Sequence, residues 1–163
     1  MSGRRIVSAL FWIIALAALD QLVKGWIIAS LAVGGHMTLL PFLSLYHTQN
    51  TGIAFSFLSS FHGLGLVILT LAVIGLVLWL WWKNTGHSRL AHIGYLLIVG
   101  GALGNLIDRV RLHYVTDYIL FHISNWSFAV FNLADAFITI GAALIVLHEI
   151  ISSRRDKRNK SHN

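Results

Sequence analysis

The segment Leu64–Trp82, LGLVILTLAVIGLVLWLWW, runs for 19 residues without a single charge. At about 1.5 Å per residue such a helix reaches roughly 29 Å, close to the ~30 Å hydrocarbon core of a bilayer. That one segment confines the chain to the membrane. Three further apolar stretches fit the same role, at about 6–28, 91–108 and 128–150. The 163-residue chain is 56% hydrophobic and 11% charged, where soluble domains carry about 25% charged residues. The expected fold class is therefore membrane α-helical, a single integral-membrane domain over 1–163 with four transmembrane helices. Cysteine is absent, which excludes disulfides, thiol nucleophiles and cysteine metal sites.

Four spans put both termini on one side, and the basic residues say which. Arg4 and Arg5 precede the first span, Lys83 and Arg89 lie between the second and third, and Arg154, Arg155, Lys157, Arg158 and Lys160 follow the fourth. These are nine of the twelve lysines and arginines. The positive-inside rule then predicts cytoplasmic termini and a basic cytoplasmic tail at 152–163. The net charge of +6 is explained by topology and anionic lipid, so no nucleic-acid partner is expected. Trp79, Trp81 and Trp82 fall where the second span should leave the bilayer, as an interfacial belt would. Arg4, Arg5 and the apolar run to Leu19 imitate a secretory signal peptide. No small-residue cleavage site follows, and removing the segment would put the 83–90 loop and the basic tail on opposite sides. The first span is expected to stay.

The outer side receives two connections, about 33–62 and 110–127, both too apolar for free loops in water. Alternations such as SLYHT (44–48) and IAFSF (53–57) predict short strands, with QNTG (49–52) as the turn between them. Together they suggest a small β-rich platform on the outer, periplasmic interface.

Apart from Glu149 and Asp156, which belong to the cytoplasmic end, the charges outside the basic cytoplasmic set gather at that depth. Lys24, Arg109 and Arg111, with Asp20, Asp108, Asp117 and Asp135, lie on the outer halves of spans or just beyond them. An ionisable group in the bilayer costs roughly 2.5–3.5 kcal/mol even on a mild scale, so each asks for a partner or a use. Asp20 and Lys24 are i,i+4 in the favourable order, and the plain reading is a structural ion pair. Asn105, Asp108 and Arg109 share a helix face as a polar cluster, and Asn132 precedes Asp135 by three positions. Gly100 and Gly104 read as a close helix-packing pair.

Asp117 and Asp135 have no base at helical spacing. Two carboxylates brought together in a low-dielectric site hold one shared proton, and the titration belongs to the pair. Such a pair can activate water with one member and protonate the developing oxyanion with the other. Spacing alone leaves this equally open with a cation site or proton relay, as in a small transporter. Other nucleophiles fare worse. HEIIS (148–152) lacks the second histidine of a zinc-binding helix, and Ser56 has no evident base. The remaining histidines, His87, His92 and His162 among them, show no ligand spacing. Neither a metal nor a cofactor is expected.

Five stretches resemble the lipoprotein signal peptidase family, bacterial signal peptidase II, over nearly the whole chain. DQLVK (20–24) resembles its first-span D-Q-x-x-K motif and QNTGIAFS (49–56) its outer N-x-G-x-A-F segment. GGALGNLIDR (100–109) is similar to its third-span signature, and VTDYI (115–119) and FNLADAFI (131–138) to the blocks carrying its catalytic aspartates. Departures are small: YILF follows Asp117 where an acid often recurs, and FAVFN lacks a proline found in some members.

The resemblance implies an aspartic endopeptidase of the bacterial inner membrane that cuts prolipoproteins before the diacylglyceryl-cysteine, with its site toward the periplasm. It maps the catalytic pair onto Asp117 and Asp135. Asn50, with Gly52 in the same motif, and Arg109 match positions that contact substrate or globomycin-type inhibitors. Asn105, Asp108 and Asn132 match supporting residues, and Asp20 and Lys24 a structural or site-adjacent pair. Its partners would be the lipidated prolipoprotein and membrane lipids, and a monomer is expected.

Overall fold

The computed structural model describes residues 3–52, 64–84, 88–123 and 126–160. IAFSF, Ser56, His87 and His162 lie outside them. Along the described chain the elements are α1 (Gly3–Ser30), β1 (His36–Leu40), β2 (Leu43–Asn50), α2 (Leu64–Lys83), α3 (Arg89–Leu112), β3 (Val115–Ile123), β4 (Trp126–Ser127) and α4 (Leu133–Lys160). All four helices are long and apolar enough to cross a membrane. Large apolar side chains such as Phe11, Leu22, Leu69 and Val146 stand exposed along α1, α2 and α4. Lipid, not water, is the solvent that accepts them.

α3 is the central helix. In its most apolar 18-residue window 61% of residues are buried, against 6% for α2 and for α4. It packs on α1, α2 and α4, and toward α1 and α4 it does so through glycines that let backbones approach. A Cβ on Gly94 would lie 2.7 Å from the Gly141 carbonyl of α4, and one on Gly141 would lie 2.6 Å from the Gly94 carbonyl. On the α1 side Gly100 meets Leu16, and Gly104 leaves room for Asp20, whose Oδ2 would be 2.6 Å from an added Cβ. The Gly100–Gly104 pair is thus the helix-packing device its spacing predicts.

The fourth span begins later than expected. Residues 128–130 are not helical, Phe131 bridges Ile119 of β3, and the helix opens at Leu133. The reason is a capping box: Asn132 Oδ1 accepts the Asp135 N–H at 2.9 Å, and Asp135 Oδ2 accepts the Asn132 N–H at 3.3 Å. Asn132 therefore acts as N-cap from outside the helix, not from one of its faces. α3 likewise continues to Leu112 and stops at His113, whose φ of 64° turns the chain into β3.

The strands form an antiparallel sheet in the order β1-β2-β3-β4. The predicted SLYHT strand lies in β2, but its described partners are β1 and β3, with Thr48 opposite Asp117. Gln49 and Asn50 extend β2 instead of forming a turn. The tryptophan belt also needs correction. Trp79 and Trp82 are exposed, but Trp81 is buried, stacked on Tyr95 of α3 at 5.8 Å and edge-on to His92 at 5.1 Å.

Candidate active site

β3 leaves the C-terminal end of α3 and runs beside β2, and its third residue is Asp117. That side chain is buried, yet both its oxygens are occupied. Oδ1 accepts from Asn132 Nδ2 at 2.6 Å and Oδ2 from Asn50 Nδ2 at 2.9 Å. Asp135, half-buried in the first turn of α4, accepts from Asn105 Nδ2 at 2.8 Å through Oδ1. Asn132 thus holds both acids, one through its side-chain amide and the other through its backbone N–H.

Three asparagines present their amide N–H groups to the two carboxylates, and each is locked against a flip because its carbonyl is pinned by a donor. Asn50 Oδ1 accepts the Gly52 N–H at 2.9 Å, in a turn where Gly52 takes φ +74°. Asn132 Oδ1 accepts the Asp135 N–H. Asn105 Oδ1 accepts from Lys24 Nζ at 2.8 Å and from Asn132 Nδ2 at 3.2 Å. An Nδ2 of Asn105 pointing anywhere but Asp135 would set donor against donor.

Lys24 anchors this arrangement from beneath. Its ammonium is 2% exposed and lies 2.8 Å from Asp20 and 2.9 Å from Asp108. With Asn105, all three of its donors are used. Asp20, fully buried, also accepts the Ala134 N–H at 3.0 Å, placing a carboxylate at the positive end of α4. Asp108 further accepts from Gln21 Nε2 at 2.7 Å and from the Thr116 N–H at 3.1 Å, tying α3 to β3.

The structure therefore gathers Asp20, Lys24, Asn50, Gly52, Asn105, Asp108, Asp117, Asn132 and Asp135 into one hydrogen-bonded network. Arg109 stands beside it. Its described hydrogen bond is to the Asn105 carbonyl at 3.5 Å, while the Asp108 carboxylate turns to Lys24. Three participants were not singled out in the sequence: Gln21, Thr116 and Tyr118. Gln21 carried a signal as part of DQLVK; a buried tyrosine beside Asp117 reads as ordinary core.

Burial pushes the Asp117 carboxyl above the usual aspartate range. The hydrogen bonds from Asn50 and Asn132 oppose that rise, nearby Asp135 adds to it, and Lys24 opposes it. Tyr118 is raised as well, chiefly by burial. Two carboxylates held around one asparagine, one of them reluctant to ionise, suit acid and base work on a single water.

The profile of the Signal peptidase (SPase) II family matches residues 12–151. The lipoprotein signal peptidases of Brucella ovis and Brucella melitensis are each 51% identical over 157 residues, covering 96% of this chain and 98% of theirs. The chain belongs to the signal peptidase II family. Two bacterial membrane enzymes solved by the in meso method share its fold. One has a TM-score of 0.78 at 28% identity over 88% of this chain and 92% of its own. The other reaches 0.75 at 29% identity over 95% and 92%. This signal peptidase is accordingly an aspartic peptidase, and the α-helical membrane architecture with its small antiparallel sheet is the one the sequence predicts.

Proposed function

We propose that the chain removes signal peptides from diacylglyceryl-modified prolipoproteins, cutting before the lipidated cysteine with Asp117 and Asp135 as the catalytic pair. The observation that carries this is Asn132, which binds both carboxylates. A water between them loses a proton to the ionised member as its oxygen attacks the scissile carbonyl carbon. The protonated member gives its proton to the carbonyl oxygen. The gem-diol intermediate then collapses: one hydroxyl returns its proton to the aspartate that had donated it and re-forms the carbonyl, the C–N bond breaks, and the proton taken from water passes from the other aspartate to the leaving amine. The asparagine amides hold the pair in place through these steps. Arg109, half-buried beside the pair, has donors to offer the substrate backbone, and Asn50 is exposed while it donates to Asp117.

The nine basic residues at one end of the helices support cytoplasmic termini, with the pair facing the periplasm. A lipidated substrate fits that depth, with acyl chains in the bilayer and the scissile bond at the interface. The chain then works as one monomeric integral-membrane unit over 1–163, and a globomycin-type inhibitor would occupy the same pair.

Purified protein given a lipidated prolipoprotein peptide should release the segment before the modified cysteine and spare the same peptide without its diacylglyceryl group. Cutting at another bond, or equal cutting of the unmodified peptide, would overturn this function. Flux in proteoliposomes without proteolysis would point to a transporter.

The pH profile follows from Asp117. Its raised pKa keeps the shared proton bound above the ordinary aspartate range, so the alkaline limb of kcat/KM should lie above that range. The Asn50 bond favours the ionised form and pulls the value down. Removing it with Asn50→Ala should therefore move the alkaline limb to higher pH. A move to lower pH would contradict the assignment.

A further inference from the structure

The first turn of a helix has four N–H groups with no partner inside the helix. In α4 each has an acceptor. The N-cap Asn132 uses Asp135 Oδ2 at 3.3 Å, Asp135 uses Asn132 Oδ1 and Ala134 uses Asp20. The fourth, Leu133, donates to the Tyr118 hydroxyl at 3.2 Å. Tyr118 follows Asp117 on β3, and Leu133 lies two positions before Asp135. The strand bearing one acid is thereby bonded, residue beside residue, to the helix bearing the other.

The backbone already brings these elements together. Tyr118 and Ile119 N–H both donate to the Phe131 carbonyl, at 3.1 and 2.7 Å, and Phe131 N–H donates back to Ile119 at 3.1 Å. That pairing fixes where residue 131 sits but not how the helix turns about it. Asn132 on Asp117 is one constraint on that rotation, and Tyr118 on Leu133 is another. Asp135 lies in the first turn, so a rotation there displaces its carboxylate from Asp117. The Tyr118 ring is held firmly enough to act as a stop. It is 3% exposed and packs with Ile27 of α1, Leu45 of β2 and Leu133 itself.

Resting on the catalytic pair proposed above, we infer that Tyr118 is a positioning residue. Its hydroxyl, through the Leu133 N–H, sets the first turn of α4 and so the placement of Asp135 opposite Asp117.

Tyr118→Phe keeps the ring and removes only the hydroxyl. Its kcat should fall about tenfold, since misplacement of a reacting group by about an ångström can cost up to a hundredfold. KM should stay within about twofold. Amide hydrogen exchange should quicken at the start of α4 and not elsewhere. Leu133→Pro deletes the same bond from the donor side, at the first helical position, where proline is tolerated. It should lower kcat in the same way, and the double variant should be no slower than the slower single one.

Wild-type kcat in Tyr118→Phe, even with a lower melting temperature, would make the hydroxyl a helix cap only and overturn the inference. Unchanged exchange at the start of α4 would do the same, whether or not Leu133→Pro folds. Losses that multiply in the double variant would show that Tyr118 acts elsewhere. An Asp135→Asn control in the same assay separates the two levels: if it still cleaves, the catalytic pair itself is wrong.

Discussion

Asp117→Asn and Asp135→Asn should each slow cleavage of a lipidated prolipoprotein peptide about 10²- to 10⁴-fold, the usual contribution of a positioned acid or base. The amide is nearly the same size as the carboxyl, so packing is kept, but it can neither take a proton from water nor give one to the carbonyl oxygen. The network makes the change harsher than a simple loss of charge. Both Asp117 oxygens accept amide N–H groups, so in Asp117→Asn the new amide must set its own N–H against Asn50 or Asn132. In Asp135→Asn the same conflict arises with Asn105 or the Asn132 backbone. KM should change far less than kcat, because the loss falls on the transition state. Steady-state kinetics on protein shown to be folded would check this, and a wild-type rate in either variant would remove that residue from the chemistry.

Lys24→Met should cost about 3–5 kcal/mol of stability, the usual result of breaking a buried ion pair by removing one partner. Asp20 is 0% exposed and Asp108 2% exposed, so neither carboxylate can turn to water. The thioether would fill the space without supplying a donor. Asn105 would also lose the ammonium that pins its carbonyl and aims its N–H at Asp135. Denaturant titration in mixed micelles should therefore show an early transition. Adding Asp108→Asn should recover part of the loss by deleting one stranded charge. An unshifted transition in Lys24→Met would show the ion pairs to be dispensable.

The parts legible in the sequence were those governed by local physics. Leu64–Trp82 had to span lipid, because nothing in its 19 residues offers a charge to water. Asp20 and Lys24 were readable as a pair because i,i+4 spacing on a helix brings side chains together, and they are 2.8 Å apart. The two acids could be singled out because carboxylates at one membrane depth without local bases are expensive. Asp108 and Arg109 were not separable in this way. Neighbours in a helix diverge around its axis, and it took α1 packing on α3 to bring Lys24 to Asp108 across 84 positions (108 − 24).

Sequence by itself determined the solvent, the number of crossings and the residue types capable of chemistry. Those follow from chain length against bilayer thickness and from the cost of charge in lipid. Tertiary structure decided which of those residues meet. Asn132 became a cap and not a face residue because Phe131 pairs with Ile119 and the helix opens only after it. Trp81 left the interface because α2 turns it toward Tyr95. Tyr118, silent in the sequence, reached Leu133 because β3 and α4 start side by side. Hydrogen bonds act over about 3 Å while these partners stand far apart along the chain, so only the packed fold could select them.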